Sequence, residues 1–428
     1  MSNLSLFYTV LSLIIIIYSV NHRLDLLCVA AICYIVYSMY CIPGIGISGQ
    51  YRPKLSDSLY CSVYIQLVLL IIFIGITRYY ERRKDHSLRS NVVPTINNNQ
   101  EKILKISFRI YTAIIVIFAF ANIIPIGISG FATGKSTVWE QTNVFYIISL
   151  YGAYPSFAYG IHKNDKLVWI PSLLIELTIF FAGSRAFTAT IIVIFLCEKG
   201  TALWKNKKGN WKLFVLGALG IVFLLMYRMV DQYVMAGDLQ GAIDTLKDPL
   251  TWLTALEFNE PRVIIANYDY VFTSGVRFPL GDIIYRIIDF IPGMTWIFSF
   301  RLSYPEYFST WLMDEVHGST GVGGSIWGES YAMFGYIGVI LFTLLWLLMI
   351  NKCNKHLDYH KKHSYFLVSL GTYLAWYINR LDFNRVAQAC KVLLFCYLIW
   401  AIIFLAFGGT LEIGKFKYSF KRKSVIGT

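Results

Sequence analysis

Arginines and glycines that could bind an anion stand beside the predicted starts of three apolar helices. Arg185 opens one apolar block, and Arg380 and Arg385 precede the last one. The glycine-rich segment 321–325 precedes a third block. The first N–H groups of a helix have no partner within it and carry partial positive charge. Such ends favour a phosphate or diphosphate, although an arginine at a membrane edge can also simply reach the lipid headgroups.

Three side chains near these helix starts could remove a proton from a hydroxyl group. Glu329 lies close behind the glycine-rich segment, and Glu260 and His317 lie in the long polar stretch before it. General base catalysis needs a carboxylate or an imidazole within hydrogen-bond reach of the proton. For Glu329, a capping role at the positive end of a helix is the competing interpretation. For His317, it is a histidine in a solvated loop.

The sequence lacks the common patterns that hold nucleotides or catalytic metals. It contains no G-x-x-x-x-G-K-[ST] and no H-E-x-x-H, and no D-x-D lies in the polar stretch. The first pattern cradles phosphates and the others supply metal ligands. We therefore expect no cofactor and no metal, and arginines would have to neutralise a bound diphosphate.

The composition is that of a membrane protein. Of the 428 residues, 56% are hydrophobic and only 15% are charged, whereas soluble domains carry about 25% charged residues. Soluble enzymes, disordered chains and disulfide-stapled secreted domains are thereby excluded. The eight cysteines show no paired spacing typical of a zinc site or a disulfide framework.

The apolar blocks predict an all-α polytopic membrane protein with about eleven transmembrane helices, each needing roughly 17–25 residues to cross the hydrocarbon. The predicted spans lie near residues 4–20, 26–42, 59–77, 107–128, 143–161, 167–182, 186–197, 212–227, 331–350, 364–379 and 388–407. The short block 186–197 is predicted to form a tight helical hairpin with the block before it.

Lysines and arginines concentrate in the connections 78–105, 198–212 and 351–363 and in the tail after residue 414. Basic connections remain in the cytoplasm. Eleven spans place all of these segments there, with the N-terminus outside. The net charge of +13 is then explained without a nucleic-acid partner. The first block has no basic segment before it and no cleavage site after it, so we expect a retained span.

The membrane topology divides the chain into three parts: residues 1–228 with transmembrane helices 1–8 and short loops, 229–330 as one large outside loop, and 331–428 with transmembrane helices 9–11 and a basic tail. Within the loop, the isoleucines between 283 and 291 share one helical face and predict a short helix on the membrane surface. Arg286 and Asp289 argue against a twelfth span there.

Two segments resemble motifs of the Wzy-type oligosaccharide repeat-unit polymerases, the O-antigen polymerase family. Gly183–Arg185 resembles the G-x-R element of that family. The segment Gly323–Gly338 resembles its stretch G-S-S-x-x-x-E-x-Y-x-x-F-G-x-x-G, with Gly324 where a first serine is common. The large loop with Asn259–Arg262, and the proline-marked stretch 278–292, are also similar.

The resemblance implies a GT-C-like glycosyltransferase architecture in the bacterial inner membrane. It implies an enzyme that works on undecaprenyl-diphosphate-linked oligosaccharides at the periplasmic face, where the large loop then lies. Such an enzyme moves the growing glycan from one lipid diphosphate to the non-reducing sugar of another repeat unit, without a metal. The resemblance also suggests a polysaccharide chain-length regulator as a partner, besides the lipid bilayer itself.

The site hypothesis assigns two sets of residues. The catalytic candidates are Arg185 for the lipid diphosphate and Glu329, Glu260 and His317 as general bases, in that order of preference. The substrate-binding candidates are Arg262, Arg277, Arg286, Arg380, Arg385, Gly323, Gly324 and Ser325.

Two alternative functions stay open. A ligase of similar architecture would pass the finished glycan to lipid A core, and a flippase would transport lipid-linked oligosaccharides across the membrane. Transporters tend to show inverted repeats and buried charges near the middle of the membrane. The sequence shows no repeat and few such charges, which favours an enzyme.

Overall fold

The structure is a computed structural model. It describes residues 3–21, 24–41, 55–87, 98–132, 138, 140–205, 211–235, 237–252, 260–294, 307–315, 323–357, 362–413 and 416–419. His317 lies outside these ranges.

The long elements of the described chain are all α-helices. They are α1 (Asn3–Asn21), α2 (Leu26–Ser38, extended by a 3-10 turn Met39–Cys41), α3 (Asp57–Ser87), α4 (Asn98–Ala132), α5 (Val144–Lys163), α6 (Lys166–Phe181), α7 (Arg185–Lys205), α8 (Trp211–Met235), α9 (Leu239–Lys247), α10 (Glu260–Ser274), α11 (Leu280–Ile288), α12 (Phe308–Glu315), α13 (Ile326–Asn354), α14 (Ser364–Tyr377, followed by a 3-10 turn Ile378–Arg380) and α15 (Phe383–Ala406). Strands β1 (Thr410–Ile413) and β2 (Phe416–Ser419) form an antiparallel hairpin that pairs Thr410 with Ser419.

Each apolar block that the sequence predicts as a span lies in a helix, but several helices begin earlier than predicted, among them α4, α13 and α15. α13 begins at Ile326 and α15 at Phe383, so Glu329 and Arg385 lie in first turns. At the start of α15, the carboxylates of Glu329 and Asp382 accept hydrogen bonds from the N–H groups of Phe383 and Arg385, which allows that helix to begin there. The block 186–197 is likewise part of a longer helix, Arg185–Lys205.

Five helical segments are long and apolar enough to cross a membrane: Asp57–Glu81, Asn98–Gly127, Arg185–Leu203, Ile326–Asn354 and Phe383–Ala406. Leu6–Ser19 and Leu26–Cys41 are shorter apolar helices. Large apolar side chains remain on the outside of several of these helices; Ile124, Ile337 and Ile402 are 73%, 75% and 66% exposed. A water-soluble protein would bury such side chains. The chain is an all-α, multi-pass membrane protein.

The chain forms two compact units from interleaved segments. The first consists of Met1–Glu81, Lys199–Leu357 and Leu370–Lys391. The second consists of Arg82–Glu198, Asp358–Ser369 and Val392–Thr428. Each is described separately below.

In the first unit, α10 lies in the core rather than at an interface. It comes from the predicted outside loop, yet it packs against α2 and α13. Its Tyr268 is buried and shares a hydrogen bond with the Ser62 hydroxyl of α3. The carboxylate of Asp269 accepts hydrogen bonds from the backbone N–H, at 3.0 Å, and the hydroxyl of Ser56 at the start of the same helix. The loop therefore supplies a structural helix to this unit, which the sequence did not predict.

α11 has one exposed apolar face and one buried charged face. Ile284, Ile287 and Ile291 are exposed, as expected for a helix that lies on a membrane surface. Arg286 is buried on the opposite face. Ile283, which the sequence placed on the same face as the other isoleucines, is buried too, because it lies at the edge of that face.

The second unit is packed around aromatic side chains. Phe108 of α4 stacks on Tyr159 of α5, with ring centroids 4.1 Å apart. The indole N–H of Trp400 donates to the Ser107 hydroxyl at 3.2 Å. At Gly160, an added Cβ would lie 2.6 Å from the Trp169 backbone nitrogen, so glycine allows α5 and α6 to approach closely.

Candidate functional site

Three small residues, Gly323, Gly324 and Ser325, lead into α13. The carbonyl oxygen of Gly323 accepts a hydrogen bond from the Asn267 side chain at 3.0 Å. A Cβ added at Gly323 would lie 2.5 Å from Ile264 Cδ1 and 3.1 Å from Arg380 Cγ. Glycine is therefore needed for the approach of α10 and of the segment before α15.

Two glycines of the same sequence motif shape α13 itself. The helix leaves helical geometry at Gly335, where φ is 64° and ψ is −149°. Glycine adopts positive φ readily, whereas other residues pay a steric cost. One turn later, a Cβ at Gly338 would lie 2.1 Å from the carbonyl oxygen of Ser330. The spacing F-G-x-x-G thus encodes a kink a few residues beyond Glu329.

Glu329 is fully buried, and both of its carboxylate oxygens are bonded. Oε1 accepts from Arg286 Nε at 2.5 Å. Oε2 accepts from the backbone N–H of Phe383, the first residue of α15, at 2.7 Å. The carboxylate therefore joins α11, α13 and α15 at one point and lies at the positive end of α15.

The sequence made Arg286 one of several substrate-binding candidates but did not predict that it pairs with Glu329. Its side chain is only 2% exposed, and its guanidinium lies over the Phe278 ring, 4.5 Å from the centroid. The sequence did contain a sign of a buried charged face. Arg286 and Asp289 are three residues apart and so share a face of an isoleucine-rich helix.

Asp382, which was not predicted, organises the start of α15. Its Oδ1 accepts from the backbone N–H of Arg385 at 3.0 Å, and its Oδ2 accepts from the Ser309 hydroxyl at 2.9 Å. Arg385 Nε lies 3.8 Å from the same carboxylate, and the arginine side chain is 53% exposed. The backbone N–H groups of Phe383 and Arg385, which the sequence offered as donors to an anion, therefore already donate to carboxylates of the protein. The Arg385 side chain extends into solvent.

Two further predicted arginines pack beside these helix starts. The guanidinium of Arg277 lies 4.3 Å from the centroid of Tyr331 in α13. That of Arg380 lies 5.9 Å from the centroid of Tyr377. With Arg286 and Arg385, they make four arginines around the starts of α13 and α15. Arg286 pairs with Glu329, and Arg385 lies beside Asp382.

A second ion pair attaches α11 to α15. Lys391 Nζ lies 2.7 Å from Oδ1 of the buried Asp289. This pair gives the lysine a counter-ion within an otherwise apolar helix, where an isolated charge would be costly. α11 thus carries two ionic contacts on its inner face, one with α13 and one with α15.

A small cavity lies beside the start of α13. Its volume is about 20 Å³, and it is lined by Tyr34, Tyr37, Ser38, Ile264, Ile265, Tyr268, Ser325, Trp327 and Asn379. Trp327 Nε1 donates to Asn379 Oδ1 at 3.0 Å, which fixes the orientation of the amide. Ser325 Oγ and Asn379 Nδ2 are buried and have no hydrogen-bond partner within the described part of the chain. A space of this size admits one hydroxyl group or one water.

The other predicted site residues belong to different units of the chain. Arg185 is the first residue of α7 and belongs to the second unit. The preceding turn is made by Gly183, with φ 89°, and the Ser184 N–H donates to the Ile179 carbonyl at 3.0 Å. Arg262 lies in the first turn of α10, in the first unit. The side chain of Glu260, like the whole of His317, lies outside the described residues.

The chemistry that this arrangement can perform follows from its charges. No family model matches the chain, and no curated protein or solved structure matches it. Among the described residues, no group of three or more histidines, cysteines or acids could hold a metal ion. Arginines in such a cluster can bind a multiply charged anion, and the buried carboxylate beside them can receive a proton.

Proposed function

We propose that this protein polymerises undecaprenyl-diphosphate-linked oligosaccharide repeat units into O-antigen or a similar surface polysaccharide. In this reaction the bond between the first sugar of the growing glycan and its lipid diphosphate breaks. A hydroxyl group on the non-reducing sugar of a second lipid-linked unit forms the new glycosidic bond. The lipid diphosphate leaves with the bonding electrons, and the hydroxyl proton passes to a base, so no metal is required.

The cluster of four arginines around the starts of α13 and α15 carries this proposal. A leaving diphosphate gains negative charge as its bond to the sugar breaks, and preorganised cations stabilise that charge strongly in a site that excludes water. Arg277, Arg380 and Arg385 pack beside the same helix starts as the buried Arg286. Arg262 remains proposed for the second diphosphate or the glycan.

Glu329 remains the proposed general base, and its pairing suggests how it becomes available. Each of its oxygens already accepts one hydrogen bond, from Arg286 and from the Phe383 N–H. A diphosphate carries more charge than a carboxylate and can replace Glu329 as the partner of Arg286. That exchange would leave Glu329 with a free lone pair for the proton of the acceptor hydroxyl.

Substrate can reach this buried pair only if α11 moves. The helix is flanked by Gly275, with φ 66°, and Gly293, with φ 82°. No atom lies within 4 Å of a Cβ added at either glycine, so no described neighbour packs against that side of the backbone. We assign α11 the role of a lid that the Arg286–Glu329 and Asp289–Lys391 pairs hold closed, with its isoleucine face toward lipid.

The proposal includes the finer topology predicted from the sequence. It places about eleven transmembrane helices in the bacterial inner membrane, in a GT-C-like architecture with the N-terminus periplasmic and the C-terminus cytoplasmic. The partners are the lipid-linked oligosaccharide, the bilayer and a chain-length regulator. The role of Arg185 at the diphosphate rests on the G-x-R resemblance.

The glycan profile of a deletion strain tests the proposal. Loss of the polymer ladder, with single repeat units still attached to core, is the expected result. Restoration by the wild-type gene, but not by Glu329→Gln or Arg185→Ala at equal protein abundance, would support the assigned roles. An unchanged ladder in the deletion strain would refute the polymerase.

The same strain distinguishes the alternatives. A missing ligase would leave full-length polymer on the lipid carrier and none on core. A missing flippase would leave lipid-linked single units on the cytoplasmic side of the membrane and none on core. Either result would replace the proposal.

A further inference from the structure

The second unit contains a larger cavity, which the proposed polymerase reaction does not use. Its volume is about 420 Å³, and it opens to the surface. It is lined by Asn98, Glu101, Lys102 and Lys105 of α4, by Tyr159 and Lys163 of α5, and by Asp165 in the turn before α6. Pockets for small ligands are commonly of this size.

Both acids of this cavity are already neutralised by bases of the same unit. Glu101 accepts from Lys163 Nζ at 2.7 Å. The carboxylate of Asp165 accepts from Arg109, from Nε at 3.0 Å and from Nη2 at 3.2 Å. Asp165 also accepts from the Leu167 N–H at the start of α6, so it is held in place by backbone as well as by charge.

The positive charge that remains belongs to Lys102 and Lys105. Both side chains are exposed, both line the cavity, and neither forms an ion pair with any described residue. Two lysines on successive turns of one helix lie on the same side of it. The cavity therefore has two unneutralised charges on one wall, with the Lys163–Glu101 pair and Tyr159 also at its lining.

The position of this wall along α4 indicates the kind of anion. Asn98–Gly127 is long and apolar enough to cross a membrane, and Lys102 and Lys105 lie in its first two turns. Large apolar side chains follow at once, with Ile106 exposed and Phe108 buried. The lysines are thus at the end of the span, at the level of lipid headgroups. Basic pockets between helices at this level bind the phosphate groups of anionic lipids.

We infer that this cavity binds a phosphate group through Lys102 and Lys105, and that the ligand is the headgroup of an anionic phospholipid. The lysines contact the phosphate oxygens, and the polar headgroup fills the remaining volume beside Tyr159 and Asn98. Free phosphate offers the same charge, and the experiment below separates the two sources. The inference does not depend on the polymerase reaction.

The test measures binding of phosphatidylglycerol by the purified full-length protein in phosphatidylcholine nanodiscs. We expect the double variant Lys102→Gln/Lys105→Gln to bind the anionic lipid roughly thirtyfold more weakly, on the scale measured for lysines near charged membranes. Lys102→Arg/Lys105→Arg keeps the charge and should bind as the wild type does. Thermal unfolding in phosphatidylcholine alone verifies that each variant is folded.

The matched control is Lys352→Gln/Lys355→Gln, which removes two exposed lysines at the end of α13. It loses the same charge and should leave binding nearly unchanged. Inorganic phosphate forms the second arm. If phosphate binds with the same dependence on Lys102 and Lys105 while phosphatidylglycerol does not, the phosphate site stands and the ligand is soluble. Equal losses in the test and control variants, or no binding of either probe, would overturn the inference.

Discussion

The carboxylate of Glu329 has a structural and a proposed chemical role, and variants can separate them. It accepts hydrogen bonds from Arg286 and from the first N–H of α15, so it stabilises the junction of three helices whether or not it takes a proton. Removing one partner of a buried ion pair costs about 3–5 kcal/mol, because the other charge is left uncompensated. Loss of activity in a single variant would therefore not distinguish loss of the base from loss of stability at the helix junction.

The first prediction concerns stability and activity in single and paired variants. Arg286→Met alone should lower the free energy of unfolding by about 3–5 kcal/mol. Arg286→Met combined with Glu329→Gln should recover most of that loss, because no unpaired charge remains. Unfolding in detergent and the polymer ladder are measured together, and we expect the ladder to stay absent in the double variant. A double variant that is stable and polymerises would show that the pair is purely structural.

The second prediction concerns Gly323 and Gly324, which precede α13. A Cβ at Gly323 would come within 2.5 Å of Ile264 Cδ1, and overpacking of this kind costs about 1–3 kcal/mol. At Gly324 the nearest atom would be 3.4 Å away, which is ordinary contact. Gly323→Ala should therefore lower the thermal stability, whereas Gly324→Ser should leave it unchanged. Similar losses in both variants would contradict this. The tolerance at Gly324 also fits the serine that is common there in the resembling motif.

At the scale of elements, α11 combines features that a fixed surface helix would not need. Its inner face carries two ion pairs, to Glu329 and to Lys391. Glycines with positive φ precede and follow it, and its outer face is apolar. Regions that open locally have few fixed contacts at their ends and can be detected by amide hydrogen exchange.

The third prediction uses that method. Lys391→Met removes one of the two ionic contacts of α11 and keeps a long apolar side chain in α15. The amides of residues 280–291 should then exchange faster, while those of α10, buried in the same unit, should not change. Lys391→Arg preserves the charge and should behave as the wild type. Unchanged exchange in Lys391→Met would show that the Asp289 contact does not hold the helix closed.

The apolar helices of the fold could be predicted from the sequence, because the length of an apolar block is a local property of the chain. The starts of α13 and α15 and the burial of α10 were not predictable in this way. They depend on partners far along the chain, such as Asp269, which bonds to Ser56, and Phe383, which bonds to Glu329. In the site, residue type made arginines and Glu329 candidates, but it could not show that Arg286 and Glu329 bind each other.

At the scale of the whole molecule, the predicted topology can be tested by reporter fusions. Residues near Lys355 are expected in the cytoplasm because of their basic neighbours, whereas residues near Asp248 are expected outside. Alkaline phosphatase, which is active only outside the cytoplasm, should therefore be active when fused after Asp248 and inactive when fused after Lys355. Activity in the opposite order would invert the topology, and activity at both positions would change the span count between them.

The interleaving of the two units has a consequence for how the protein is made. Each unit needs segments from before residue 199 and from after residue 357, and α15 contributes to both. Two side chains of α15 show this: Lys391 donates to Asp289 in the first unit, and Trp400 donates to Ser107 in the second. A ribosome must therefore translate nearly the whole chain before either core can close, and long-range closure of this kind slows folding. Until α15 is inserted, Asp289 and Ser107 lack the partners that this helix supplies to them.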